Sequence, residues 1–176
     1  MATMGRDQLS LGIVCASAGN HAQGVAYSCA RLQVQGTIFM PSTTPQQKIS
    51  RVRHFGGDWI SVVLIGDRFD DAQISAIQFA TERGLPFIHP FDDMDVIAGQ
   101  STVALEILDE IKEPVDYIMA PIGGGGLMAG MVSVERGWIG KDTALRRLVN
   151  MVDFLNRAES YHGIFPHFMN GTTGKT

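Results

Sequence analysis

A chain of 176 residues, 45% apolar, is long enough to bury a real core within one domain. Charged residues make up 18% at a net charge of −4, so neither nucleic acid nor anionic lipid is suggested as a partner. No run approaches the roughly 18–20 apolar residues of a membrane span, no signal-peptide core opens the chain, and Cys15 and Cys29 fit no metal or CxxC spacing, so reduced thiols in a cytoplasmic protein are expected.

From Gly12 the chain alternates strand and helix. Gly12–Ala16 reads as a short strand, and Ala18–Leu32 as a helix with Ser17 as N-cap. Val34–Met40 is the next strand. A turn leads to a helix over Pro45–Phe55, capped by Thr44 with Pro45 at the first helical position. Trp59–Ile65 follows as a strand, then a helix over Asp67–Arg83 that Gly84 closes. Pro86–His89 is a brief strand, and Asp93–Ile111 a helix open to interruption near Gly99. Val115–Ala120 is the last apolar strand in this rhythm, and no strand is expected after it. Such alternation predicts an α/β fold: an open parallel sheet with helices on both faces. Near Met131 the character changes to a short helical tail. Ala144, Leu145, Leu148, Met151, Val152 and Leu155 form a helical stripe within Thr143–Ala158. The domain division expected is therefore 1–131 and 132–176.

Two glycine-marked turns lie at the carboxyl ends of strands, where such sheets collect ligands. Gly123, Gly124, Gly125 and Gly126 precede Leu127. Four consecutive glycines lose much conformational entropy on folding, which favours a site that a phosphate must approach closely. The plainer alternative is a flexible turn. Ser17, Ala18, Gly19 and Asn20 begin the other turn. Their short polar groups suit either a carboxylate or ring oxygen, or ordinary capping, and both readings stay open. Two such turns suggest a phosphorylated cofactor held between them.

Other features read as structural. His21 is assigned to packing rather than to general-base work. Within His89–Asp93, Asp92 or Asp93 is expected to cap the next helix. Glu159, His162 and His167 match no zinc spacing, so no metal is expected. Gly171–Thr176 has two residues between its glycines, against the four of a phosphate-binding loop, and is rejected as one.

Several strings agree in order and spacing with one family. They are Ala16–Ala26 around Ser17-Ala18-Gly19-Asn20, Phe39–Pro45, Phe87–Asp93, Ile97–Gln100 and Pro121–Leu127. Over about residues 9–130 the chain resembles threonine ammonia-lyase (threonine dehydratase), a pyridoxal-phosphate enzyme of the tryptophan synthase β-like fold. The resemblance implies pyridoxal 5′-phosphate as cofactor and an amino acid as small-molecule substrate. It also implies a homo-oligomer for the whole enzyme and a place in isoleucine biosynthesis. It gives Asn20 the 3′ oxygen of the pyridoxal ring, and the Ser17–Asn20 turn the substrate carboxylate. Gly123–Gly126, with the Leu127 amide, would cradle the cofactor phosphate. The reaction implied converts L-threonine to 2-oxobutanoate and ammonia.

That chemistry needs a lysine on the cofactor aldehyde. In the family it lies in a Ser-Phe-Lys-x-Arg-Gly-Ala string upstream of the asparagine turn, and this chain is expected to begin after it. Lys48, Lys112, Lys141 and Lys175 stand in other contexts, and Lys48 and Lys112 read as solvated. No catalytic residue is assigned, and no turnover is expected from this chain alone. The alternatives are a non-catalytic phosphate- or carboxylate-binding remnant, or another member of the fold such as a serine dehydratase. From about Glu135 to Thr176, Arg136–Ile139, the Arg146-Arg147-Leu148 segment and Tyr161–Gly171 resemble a glucoamylase-like glycoside hydrolase. The chain thus reads as pieces of two genes joined near Met131.

Overall fold

The computed structural model describes residues 1, 3–111, 117–135 and 147–150, with only the backbone described at 117, 135 and 147–150. The chain divides into two units, Met1–Val96 and Ile97–Thr176.

In the first unit a short helix α1 (Arg6–Ser10) precedes β1 (Ile13–Ala16). Then come α2 (Asn20–Leu32), β2 (Gly36–Met40) and α3 (Gln46–Gly56). A 3-10 turn (Gly57–Trp59), β3 (Ile60–Leu64) and α4 (Phe69–Arg83) follow. The strands run parallel in the order β1-β2-β3. Ile13 pairs with Gly36, and Gly36 with Ile60. Pro86–His89 contributes only a bridge, Val14 to Phe87, on the other edge of β1. There Val14 N donates to Pro86 O at 2.9 Å, and Ile88 N donates to Val14 O at 2.8 Å.

Side-chain alternation decides which helix covers which face. Every residue of β1 is buried, as a parallel strand with two covered faces requires. Ile13 and Cys15 join Ile38 and Met40 against Ala22, Val25, Ala26 and Cys29 of α2 and Ile49 and Val52 of α3. Val14, Ala16 and Phe39 turn the other way, onto Ala72, Ala76 and Ala80 of α4. Those alanines recur every four residues, so one stripe of the helix is nearly bare and α4 can lie close to the sheet. Helices on both faces are thus observed as expected.

Two of three helix starts differ in detail. Ser17 is not the N-cap of α2; Gly19 is, and no side chain caps it. Pro45, not Thr44, is the N-cap of α3, and Lys48 N and Ile49 N donate to its carbonyl at 2.9 and 3.3 Å. Asp93 does cap, accepting from Val96 N at 3.0 Å. The strand expected from Val34 begins at Gly36, because Gln33 closes α2 in the left-handed region at φ 57° and Val34 N returns to Cys29 O.

Helix α5 (Met94–Glu110) runs unbroken through Gly99 and enters the second unit. There β4 (Tyr117–Ala120) leads through the glycine turn into α6 (Gly126–Glu135). A strand, β5 (Arg147–Asn150), then pairs parallel with β4, Tyr117 to Arg147 and Ala120 to Asn150. This corrects two expectations. Residues 147–150 are strand, not helix, and a strand does follow the second glycine turn. A short apolar run fits a buried strand as well as a helical stripe, and periodicity alone does not separate them. The described strands accordingly form two parallel sheets, not one. The remainder of the expected 143–158 helix, the glucoamylase-like strings and the histidines of the tail lie outside the described residues.

Candidate functional site

The first turn is drawn inward by its own hydrogen bonds. Ser17 N donates to Phe39 O at 3.0 Å, which carries the sheet one residue beyond β1. Ser17 is 8% exposed, and its hydroxyl accepts the Gly19 N–H at 3.1 Å. The helix then begins: Gln23 N donates to Gly19 O at 3.3 Å. Asn20 is the first helical residue and is exposed, and it lines a shallow cleft with Gln23, Gly24, Tyr27 and Phe55. Ala18 and Gly19 are half-buried.

His21 sits one residue further along α2. Its Nε2–H donates to the Ile88 carbonyl at 3.1 Å, since a carbonyl can only accept. Burial holds its pKa below the ordinary 6.5, the Ile88 bond opposing that shift. The ring is therefore a neutral strut between α2 and the segment after Phe87, as the packing assignment anticipated. His89 is likewise structural: its Nδ1 accepts from Phe91 N at 3.3 Å and Asp92 N at 2.7 Å.

The second turn is open. Gly123 and Gly124 are exposed, Gly125 and Leu127 half-buried and Gly126 buried. A Cβ placed on Gly123 or Gly125 would meet nothing within 4 Å. Gly125 has φ +92°, a conformation that side chains strongly disfavour, and this is the position that requires glycine. Ala129 N makes the first turn bond of α6, to Gly125 O at 2.9 Å. The N–H groups of Gly126, Leu127 and Met128 precede it, and such groups have no acceptor within a helix. Bare backbone donors, a helix dipole and open space beside the glycines suit a phosphate.

Ser17–Asn20 belong to the first unit and Gly123–Leu127 to the second. Lys48 lies exposed on α3, as its sequence context suggests, and the other three lysines fall outside the described residues. Among the described residues no three His, Cys, Asp or Glu gather as metal ligands. No helix among them is long and apolar enough to cross a membrane.

Residues 3–144 match the family model of pyridoxal-phosphate dependent enzymes. The chain belongs to that family. Among its relatives, L-threonine dehydratase biosynthetic IlvA of Halalkalibacterium halodurans is 51% identical over 126 residues, 72% of this chain and 30% of that protein. The same-named protein of Bacillus subtilis is 52% identical over 131 residues, 74% of this chain and 31% of that one. The processed form of threonine deaminase isoform 2 from Solanum lycopersicum superposes with a TM-score of 0.72 at 43% identity, over 85% of this chain and 39% of that one. The chain therefore spans about a third of the length of the relatives it matches. As a member of that family it shares the α/β fold of these neighbours.

One residue of this family member carries positional weight that sequence reasoning passed over. Gly130, inside α6, is buried against α5; its only sequence signal is a glycine within a helix, where glycine is disfavoured.

Proposed function

We propose that this chain carries pyridoxal 5′-phosphate-binding turns of an enzyme that deaminates L-threonine to 2-oxobutanoate and ammonia. The observation that carries the reading is the Gly123–Leu127 turn, bare, open-sided and set at the N-terminus of α6. Its relatives named threonine dehydratase and threonine deaminase supply the substrate class.

In this reading the amides of Gly123–Gly126 and Leu127 hold the cofactor phosphate, where the helix dipole favours a dianion. The Asn20 carboxamide hydrogen-bonds the 3′ oxygen of the pyridine ring. The Ser17–Asn20 turn orients the substrate through its carboxylate, and the Ser17 hydroxyl keeps that turn in shape by holding the Gly19 N–H. When bound, the cofactor supplies an electron sink that lets Cα lose its proton and the β-hydroxyl depart. None of the four lysines stands in the string that would anchor the cofactor aldehyde, so the chain alone is assigned binding without turnover. The division near Met131 is part of the proposal, with 132–176 contributing no group to this chemistry; sequencing across codon 131 tests it.

Titrating the isotopically labelled chain with pyridoxal 5′-phosphate, and with pyridoxal as control, tests the site. The phosphorylated form should shift the Gly123–Leu127 amides and pyridoxal should not. Equal responses, or none, would sink the assignment. Detection of 2-oxobutanoate from chain, cofactor and threonine would overturn the absence of turnover.

A further inference from the structure

Gly130 lies in the interior of α6, one turn past the glycine turn. Glycine there is disfavoured against alanine, because it has more backbone freedom to lose on folding. A reason for it lies in its neighbours. A Cβ on Gly130 would stand 2.5 Å from the Ile97 carbonyl oxygen, 2.7 Å from the Ser101 nitrogen and 3.0 Å from the Gln100 carbonyl carbon. All three are backbone atoms of α5, so none can swing aside as the tip of a side chain could. The two helices therefore meet backbone to backbone at this residue. Ser101 is 1% exposed and donates its hydroxyl to Ala98 O of its own helix at 2.6 Å. Further along α6, Met131 and Val134 are buried with Ala104 of α5 and Ile118 and Ala120 of β4.

We infer that Gly130 is a positioning residue for the phosphate turn: by letting α6 lie against the α5 backbone, it sets where the amides at the start of α6 stand. The inference rests on the reading of Gly123–Leu127 as a phosphate site. Gly126 and Gly130 are four residues apart on one face, about 6 Å along the helix axis. A helix moves as a rod over that span, so a displacement forced at Gly130 reaches Gly126 and Leu127. Amide–phosphate bonds have a narrow range of good distances, and a cradle built for one position loses some of them in another.

The test is a titration of the full labelled chain with inorganic phosphate, read at the Gly123–Leu127 amides. Gly130→Ala should bind phosphate about tenfold more weakly, the equivalent of one hydrogen bond to a charged group, while retaining its helical circular dichroism. Ala129→Ser, on the exposed side of the same helix, should bind as the parent does. Parental affinity in a folded Gly130→Ala overturns the inference. Turn amides of the parent chain that ignore phosphate overturn the phosphate reading, and the inference with it. If Gly130→Ala does not fold, hydrogen exchange on the parent chain decides. Phosphate should then slow the Gln100 and Ser101 amides together with those of the turn, and protection confined to the turn overturns the inference.

Discussion

The two glycine-marked turns begin from one plan, a parallel strand feeding a helix N-terminus, and end as different objects. At Ser17–Asn20 the turn consumes its own donors: the Ser17 hydroxyl takes the Gly19 N–H, and Ser17 N goes back to the sheet. What remains to offer outward is a side chain, Asn20. At Gly123–Leu127 there is no side chain to offer before Leu127, and the backbone is what faces open space. A turn that presents a side chain can select a particular atom of a ring or carboxylate. A turn that presents only N–H groups selects charge and size.

The contrast can be broken most severely at Gly125. Gly125→Val forces a β-branched residue into φ +92°, at a cost of about 1–3 kcal/mol, and should abolish the phosphate response of the second turn. Urea denaturation and a phosphate titration check the two parts, and a variant as stable as the parent would show that the positive φ is not needed.

Acid should loosen the support of the first turn. Burial depresses the pKa of His21, so the unfolded chain takes up that proton first. The stability held by neutral His21 is thus present above pH 6.5 and drains as pH falls below it, by up to about 1.4 kcal/mol per pH unit. Urea midpoints across this range should fall more steeply for the parent than for His21→Gln; parallel slopes would remove His21 from the account.

Ser17→Ala leaves the Gly19 N–H without its acceptor and should cost about 1 kcal/mol without altering phosphate affinity at the second turn. A change in that affinity would mean the turns are not chemically separate. Gly123→Ala is the gentlest change. Its exposed, open position predicts a stability change within about 0.5 kcal/mol, yet the methyl enters the space assigned to phosphate and should weaken binding. Unchanged affinity would place the phosphate elsewhere along the turn.

Much of the first unit was readable from residue pattern. Val14, Ala16, Ile38 and Met40 sit in apolar runs bounded by turn residues, and Gly84 closes α4 in the left-handed region as expected. Helix starts were less readable, because the turn around a serine or threonine decides where its hydroxyl goes. Ser17 is engaged one peptide away at Gly19, and the Thr44 hydroxyl is buried without a hydrogen-bond partner among the described residues instead of capping α3. The strand at Arg147–Asn150 was read as helix because a run this short carries no decisive period; its pairing with β4 is a long-range contact that no local pattern records. Of the site, the glycine turn was legible from composition alone, whereas the backbone contact at Gly130 depends on where α5 lies and left only an unexplained glycine in the sequence.

The two cysteines give the fold a built-in clock. Cys15 and Cys29 are free and buried in one cluster. Burial pushes the Cys29 thiol up to about 11 and Cys15 higher still, so neither offers a thiolate near neutral pH. A thiol reagent can mark them only when β1 and α2 part, and the rate of labelling then counts openings of the core that supports the Asn20 turn.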